Sequence, residues 1–288
     1  MNTQNPRQVI RLVTPEPVVE GAGVKLRRSI ASRALDYVDP FLLLDDFRSH
    51  DPDDFVAGFP MHPHRGIETV TYLLDGLVRH QDSIGNAGEI TAGDVQWMTA
   101  GRGILHEEMP QRHKGVLEGF QLWVNLPAKD KMMRPRYQDV PAARIPEVEQ
   151  ANGIRIRVVA GEVDDIPGPV TDIVAHPLFL DVTIPPHSRF VQVIERGHTA
   201  LAYVFEGVGT FGIANGEAGT AITATQLAIF DDGDFLEVQT GDEGVRFLLI
   251  AGKPLHEPIA RYGPFVMNTH EEILQTLKEL REGIFPPG

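Results

Sequence analysis

Glycine and proline occur along the whole length of this chain, with 28 glycines and 22 prolines among 288 residues. Between them lie short apolar runs in which polar residues alternate, such as 68–74 (ETVTYLL) and 119–124 (GFQLWV). Runs this short, bounded by turn-forming residues, are typical of the strands of a β-sandwich or β-barrel. The chain is therefore predicted to be an all-β protein.

One helix is predicted, near the end of the chain. Thr269 is followed three residues later by Glu272, which is the spacing of a capping box, and Gly283 stands where a helix would end. We expect this helix to pack its apolar face on a sheet. The apolar positions are Ile273, Leu274, Leu277 and Leu280.

A strand pattern followed by glycine occurs twice, at 72–76 (YLLDG) and 203–207 (YVFEG), with an offset of 131 residues. The apolar segments that follow, 95–98 and 226–230, keep the same offset. Such self-similarity predicts two copies of one β-fold. The Pro-rich and charged stretch between Val140 and Gly153 is the predicted boundary. We expect a first domain at 1–140 and a second at 141–288 that includes the terminal helix.

Charge and composition exclude several classes of protein. With 40 acidic and 26 basic residues the net charge is −14, so the surface repels phosphate backbones and anionic lipids, and direct binding of nucleic acid or membranes is not expected. The chain has no cysteine, so a metal would be held by nitrogen and oxygen. No run approaches the ~20 apolar residues of a membrane span, and the N-terminus has no apolar signal region. A cytoplasmic protein is expected.

Two pairs of metal-ligating residue types stand two positions apart, His62 with His64 and His106 with Glu108. Because side chains alternate between the faces of a strand, each pair can point two ligands at one spot. Three imidazoles and one carboxylate suit a divalent first-row transition metal, and an octahedral ion would keep two positions open for water, substrate or dioxygen. A closed tetrahedral zinc site is the alternative within this interpretation.

Residues next to these pairs receive other predicted roles. Pro63 lacks a backbone donor, so its strand is predicted to lie at a sheet edge or a bulge. Glu107 alternates to the opposite face and is expected to be solvated or to contact a ligand. Arg65 and Arg102 either steer an anionic substrate or orient a carboxylate, or they pair with a surface acid. The remaining histidines have no same-face partner and are expected to be surface or structural residues: His50, His80, His113, His176, His187, His198, His256 and His270.

Residues 62–76 (HPHRGIETVTYLLDG) and 93–108 (GDVQWMTAGRGILHEE) resemble the two signature stretches of the pirin family. The segments 39–47 (DPFLLLDDF) and 262–268 (YGPFVMN) are also similar to pirins, so the resemblance spans nearly the whole chain. Pirins belong to the cupin superfamily. The implied fold is a bicupin, in which two β-barrels of jelly-roll type are stacked face to face and closed by a C-terminal helix.

The resemblance assigns the metal ligands to His62, His64, His106 and Glu108, the same four residues that strand alternation selects. It implies iron, as Fe²⁺, with Mn, Co, Ni or Zn as substitutes.

Two further expectations concern the rest of the chain. The glutamate after the first histidine pair, Glu68, departs from the general cupin spacing as it does in pirins. It is expected at most to contact a metal ligand and not to bind the metal itself. A shift of the first histidine pair by 131 positions reaches Val193 and Glu195, so the second barrel is expected to be metal-free.

The resemblance implies functions of two different classes. Some pirins resemble quercetin 2,3-dioxygenases, in which a flavonol binds the metal and dioxygen cleaves its heterocycle with loss of carbon monoxide; Glu108 would then be a ligand or the general base for the flavonol proton. Other pirins are described as regulators that contact protein partners, such as transcription coregulators or modulators of metabolic enzymes, with the metal as a switch. The dioxygenase is the first expectation, because an open metal site requires a ligand.

Overall fold

Strands make up most of the chain, which confirms the all-β prediction. The computed structural model describes residues 5–213 and 218–286, and its paired strands run antiparallel. In chain order the strands are β1 (Val9–Val13), β2 (Glu16–Glu20), β3 (Val24–Ile30), β4 (Phe41–Asp46), β5 (Phe59–His64), β6 (Ile67–Asp75), β7 (Leu77–Asp82), β8 (Ala87–Thr91), β9 (Val95–Thr99), β10 (Ile104–Pro110), β11 (Glu118–Asn125), β12 (Arg136–Val140), β13 (Glu147–Glu149), β14 (Arg155–Ala160), β15 (Glu162–Val163), β16 (Ile166–Pro167), β17 (Leu178–Ile184), β18 (Arg189–Val193), β19 (Thr199–Phe211), β20 (Thr220–Thr223), β21 (Gln226–Phe230), β22 (Phe235–Gln239), β23 (Val245–Gly252), β24 (Ala260–Tyr262) and β25 (Phe265–Met267).

Helical structure is sparse in the described residues. The α-helix α1 spans His270–Arg281, and short 3-10 turns span Pro52–Asp54, Ala142–Arg144 and Ala151–Gly153. Within the two described ranges, no helix combines the length and the apolar character that crossing a membrane requires.

The chain forms two compact units, each assembled from two separate segments. The first barrel consists of Glu16–Ala142 and Leu255–Gly288, and the second barrel consists of Met1–Pro15 and Ala143–Pro254. The break after Ala142 falls inside the predicted interval of 140–153. The predicted division into 1–140 and 141–288 is corrected at both ends of the chain.

Long-range contacts explain the correction. At the N-terminal end, β1 pairs with β21 and so belongs to the second barrel. At the C-terminal end, α1 belongs to the first barrel, where its residues Thr276 and Glu279 accept hydrogen bonds from Arg65. These partners are more than 200 positions apart in the chain. Local sequence patterns carry no signal for such pairings.

Two sheets build the first barrel. The larger sheet has the strand order β12-β9-β6-β11-β4-β3-β2, and the smaller one has the order β5-β10-β7-β8. Apolar side chains of both sheets pack together, with Leu26 of β3 and Leu73 of β6 in one cluster with Val78 of β7 and Ile90 of β8. The strands β24 and β25 form a separate hairpin.

The second barrel repeats the central strand order of the first. Its strands β21-β19-β23-β17-β14 correspond to β9-β6-β11-β4-β3. The strand β9 begins at Val95 and β21 at Gln226, which confirms the predicted offset of 131 residues. Apolar side chains fill the interior of this barrel, and the rings of Phe211 and Phe247 meet edge to face at 5.0 Å. Val193 and Glu195, the counterparts of the first histidine pair by that offset, are exposed.

The terminal helix begins at the predicted capping box. The Thr269 side chain accepts a hydrogen bond from the Glu272 backbone N–H, and the Glu272 carboxylate accepts one from the Thr269 backbone N–H. Of the four apolar positions of α1, Ile273 and Leu277 pack with Phe265 and Met267 of the β24–β25 hairpin, whereas Leu274 and Leu280 are exposed. The capping pattern therefore located the start of this helix correctly.

Candidate metal centre

Three histidines meet on the smaller sheet of the first barrel. His62 and His64 lie on β5, and His106 lies opposite His62 on the neighbouring strand β10. The ring centroids are 4.4 to 5.0 Å apart, and one nitrogen of each ring lies within 4.8 Å of the others. The Nε2 atoms of His62 and His64 face each other at 3.1 Å. Convergent ring nitrogens of this kind are the donor arrangement of a metal site.

The local sequence explains why β5 presents its histidines together. His62 and His64 point to the same side because they are two residues apart on one strand. The strand β5 lies at the edge of its sheet, as Pro63 predicted. Gly66 then turns the chain with φ +79°, and a side chain at this position would collide with the Val266 carbonyl oxygen. Glycine is therefore required directly after the histidine pair.

Burial keeps the three imidazoles neutral. The pKa values of His64 and His106 are held well below the usual histidine value, mainly because both rings are buried. Burial also lowers the pKa of His62. At neutral pH each ring therefore offers a nitrogen lone pair, which is the form that binds metals.

His106 supplies a direct test of whether a metal fits. Its side chain is fully buried, and neither ring nitrogen has a hydrogen-bond partner among the residues that the structure describes. A buried polar atom without a partner costs about 1–3 kcal/mol. A divalent first-row transition metal would satisfy one nitrogen of this ring together with the facing nitrogens of His62 and His64. The residues present thus fit the ion that their types predict.

Glu108 lies beside the three histidines rather than among them. The strand β5 has one extra residue between His62 and Phe59, the partners of His106 and Glu108 on β10, and the Glu108 carboxylate falls outside the group of converging nitrogens. Its Oε1 accepts a hydrogen bond from Thr71 Oγ1 at 2.7 Å. Burial raises the pKa of Glu108 to about 6. The role of Glu108 as a metal ligand stays a prediction.

A cavity of about 590 Å³, a size typical of small-molecule sites, opens on His62 and His64. Glu108 lies on its wall with His62 and His64, and Trp123 stands edge to face against His64 with 5.0 Å between the ring centroids. The other walls combine apolar and charged side chains. These include Leu26, Leu43, Phe47, Phe59, Glu20, Arg28, Asp45, Gln121 and Arg261.

His80 is a neighbour of the site that the sequence pattern missed. It is buried on β7, opposite Glu108 on β10, and its ring centroid is 5.4 Å from that of His106. Its other face stacks on Tyr137 at 5.0 Å. His80 alternates with Val78 and Asp82, and this inward-facing period could have identified it. The missing knowledge was that β7 pairs with β10.

The two arginines near the histidine pairs do not line the cavity. Arg65 is buried, donates to Glu279 Oε2 at 2.6 Å and to the Arg102 carbonyl oxygen at 2.6 Å, and therefore takes the ion-paired role. Glu107 faces away from the site and accepts a hydrogen bond from Gln81, as alternation predicted.

Glu68 binds protein donors rather than the histidine cluster. Its Oε1 accepts a hydrogen bond from Thr99 Oγ1 at 2.7 Å and its Oε2 accepts one from Trp97 Nε1 at 3.2 Å. Burial raises the pKa of this carboxyl. Glu68 thus links β6 to β9 in the larger sheet.

Comparisons with known proteins place this arrangement in a family. The model of the Pirin family matches residues 23–124, and the model of the Pirin C-terminal cupin domain matches residues 179–286. A Pseudomonas aeruginosa protein named putative quercetin 2,3-dioxygenase is 45% identical over 284 residues, which cover 96% of this chain and 98% of that protein. Human pirin is 42% identical over 91% of this chain and 88% of its own length.

A solved structure agrees with these sequence matches. The crystal structure of a quercetin 2,3-dioxygenase from Acinetobacter baumannii superposes with a TM-score of 0.86 and 34% sequence identity. The superposition covers 98% of this chain and 99% of that one. The bicupin fold class predicted from the sequence is confirmed by this match and by the second cupin domain.

Proposed function

This chain belongs to the pirin family, and we propose that it is a metal-dependent dioxygenase of the quercetin 2,3-dioxygenase type, which cleaves a flavonol or a related aromatic. The observation that carries the proposal is the cluster of His62, His64 and His106, of which His62 and His64 line a cavity large enough for a small aromatic molecule. The relatives named as quercetin 2,3-dioxygenases support the substrate class.

The proposed metal ligands are the three histidines, with Glu108 as the fourth candidate ligand. Iron, as Fe²⁺, is the proposed metal, and Mn, Co, Ni or Zn are the proposed substitutes. A bound divalent metal supplies a Lewis acid that polarises the oxygens of a substrate and favours loss of a hydroxyl proton. The histidines contribute neutral nitrogens and no competing proton, because burial lowers their pKa values.

Glu108 is the proposed general base of the reaction. It lines the cavity and stands next to the histidines, so it can reach the hydroxyl of a substrate bound there. With its pKa raised to about 6, the carboxylate is ionised at pH 7 and still basic enough to take a proton. Thr71 Oγ1 donates to Oε1, which fixes the orientation of the carboxylate and leaves Oε2 for the proton.

Purification without added metal, followed by elemental analysis, tests the site first. The iron-loaded protein is then assayed in air for loss of the quercetin absorbance band and for release of carbon monoxide. We expect stoichiometric metal and metal-dependent release of carbon monoxide. Metal at one per chain without turnover would favour the other class that the resemblance implies, a regulator acting through protein contacts. Protein without affinity for metal would overturn both.

The variant Glu108→Gln distinguishes a role of Glu108 as general base from a role as metal ligand. If Glu108 is the base, this variant keeps its metal and loses turnover by about 10²–10⁴-fold. Glu107→Gln is the matched control, because Glu107 lies next in the same strand and faces away from the site. Parallel loss of metal and turnover in Glu108→Gln would instead make Glu108 a ligand.

A further inference from the structure

Arg261 is a cation in the wall of the cavity that forms no direct ion pair with the described residues, and Asp36, Asp45 and Glu20 act on its charge at longer range. Its Nη1 donates to the Leu42 carbonyl oxygen at 3.2 Å, and its Nε lies 3.4 Å from the Gly263 carbonyl oxygen. Among the residues that the structure describes, none of the ion pairs involves Arg261. A guanidinium has five N–H donors, so several of them stay available to a ligand.

The other arginine of the cavity is neutralised. Arg28 forms a two-pronged ion pair with Asp45, at 2.8 and 2.7 Å, and a third contact with Glu20 at 2.6 Å. These contacts direct both carboxylates of that wall toward Arg28. Arg261 is therefore the cavity cation whose N–H donors contact no carboxylate and can bind a ligand, with Asp45 and Glu20 acting on it only at longer range.

Trp123 connects Arg261 to the histidines. The Arg261 guanidinium carbon lies 5.3 Å from the centre of the indole, and the His64 ring lies 5.0 Å from it. The guanidinium is consequently no farther than about 10 Å from the imidazole. A molecule of two or three aromatic rings covers such a span. Packing on the indole also orients the guanidinium and leaves its edge donors free.

We propose that Arg261 determines the substrate specificity of this cavity by selecting aromatic molecules with an anionic oxygen substituent, such as a carboxylate, at the end remote from the histidines. A carboxylate matches the planar fork of the guanidinium and forms charge-assisted hydrogen bonds with it. The inference rests on the proposed function, which places the reacting end of the substrate at His62, His64 and His106.

Binding measurements test this without turnover. The metal-loaded protein is titrated under nitrogen by calorimetry with 4′-carboxy-3-hydroxyflavone and with its neutral carboxamide analogue. We expect the carboxylate to bind about tenfold more tightly than the carboxamide, since one charge-assisted contact separates the two. Of the two tryptophans, Trp97 is fully buried and Trp123 lines the cavity, so quenching of Trp123 fluorescence provides a second readout.

Variants assign the preference to Arg261. In Arg261→Gln the carboxylate and the carboxamide should bind equally, with affinity for the carboxamide within twofold of wild type, and Arg261→Lys should keep part of the preference. Tyr262→Phe is the matched control, because Tyr262 is 61% exposed and does not line the cavity. An unchanged preference in Arg261→Gln, no preference in the wild type, or no binding of either flavonol would overturn the inference.

Failure of the Arg261 inference and failure of the dioxygenase proposal give different results. A preference that depends on Arg261, in a protein that releases no carbon monoxide from either flavonol in air, supports the binding specificity and contradicts the dioxygenase. Turnover of quercetin by a protein without the preference supports the dioxygenase and contradicts the role of Arg261.

Discussion

Arg65 and Glu279 join the turn after the first histidine pair to the C-terminal helix, through a hydrogen-bonded ion pair of 2.6 Å. Arg65 is 2% exposed and also donates to Thr276 Oγ1 at 2.8 Å, while its guanidinium lies 4.9 Å from the centre of the Phe285 ring. A charge this deeply buried depends on its partner. The helix thus holds the residue that directly follows His64.

Removing the acid of this pair should destabilise the first barrel. Glu279→Gln leaves the buried guanidinium without its counter-charge, and we expect the free energy of unfolding in urea to fall by about 2 kcal/mol, less than for a fully buried pair because Glu279 is 15% exposed. Affinity for metal should fall with it. Glu282→Gln, at an exposed position just after the same helix, serves as the control, and equal stability of the two variants would contradict the role of the pair.

Gly66→Ala should distort the histidine site. Two glycines with positive φ allow the effect of the collision to be separated from that of the backbone conformation. Gly66 has φ +79° and its added carbon would meet the Val266 carbonyl oxygen, whereas Gly85 has φ +95° with nothing within 4 Å. Gly85→Ala should lose about 1–2 kcal/mol through conformation alone. Gly66→Ala should lose more and should also bind metal less tightly, and equal effects in thermal unfolding and metal titration would refute this.

Lys131 should give the stability of the protein a distinctive pH dependence. Its ammonium is buried and donates to the carbonyl oxygens of Gly66 and Val266 and to Asn125 Oδ1, at 2.8 to 2.9 Å. Burial lowers the pKa of Lys131 from 10.5 to about 8. Between these values the unfolded chain binds more protons than the folded one, so this group makes the free energy of unfolding rise with pH.

The test compares variants over that pH range. The free energy of unfolding of the wild type relative to Lys131→Met should increase from pH 8 to pH 10.5. Lys129→Met is the control, because the Lys129 side chain is 78% exposed and should show no such trend. If the difference in free energy of unfolding between wild type and Lys131→Met does not change with pH over this range, the buried amine keeps its proton in the folded state.

His106→Leu should stabilise the metal-free protein while abolishing its affinity for metal. The substitution replaces a buried ring with two unpaired nitrogens by an apolar side chain, so we expect the free energy of unfolding of the metal-free protein to rise by about 1 kcal/mol. His80→Leu is the comparison, because His80 is also buried beside His106 but lies outside the converging group, with its Nε2 3.7 Å from Asp82 Oδ2. The His80→Leu variant should retain the metal. Loss of metal in both variants would show that the metal site also depends on His80.

Local patterns in the sequence were sufficient for the strands, the helix start and the histidine cluster. The capping box at Thr269 and the alternation of His62 with His64 depend on residues close together in the chain. Alternation correctly put Glu108 on the same face as His106, but its position relative to the other histidines depends on β5, which has one extra residue between His62 and Phe59 where it pairs with β10. Likewise, His80 became a neighbour of the site only through pairing of β7 with β10.

The chain completes its first barrel last. Residues 143–254 separate the segment that carries the three histidines from the segment 255–288 that supplies Val266 and α1. On the ribosome, the histidines are therefore made long before the carbonyl group and the helix that fix the turn after His64. A nascent chain halted before residue 255 would carry His62, His64 and His106 but lack the Val266 carbonyl that accepts from Lys131 and the Glu279 carboxylate that accepts from Arg65. The turn after His64 thus gains its contacts with Val266 and α1 only after residues 143–254 have been made.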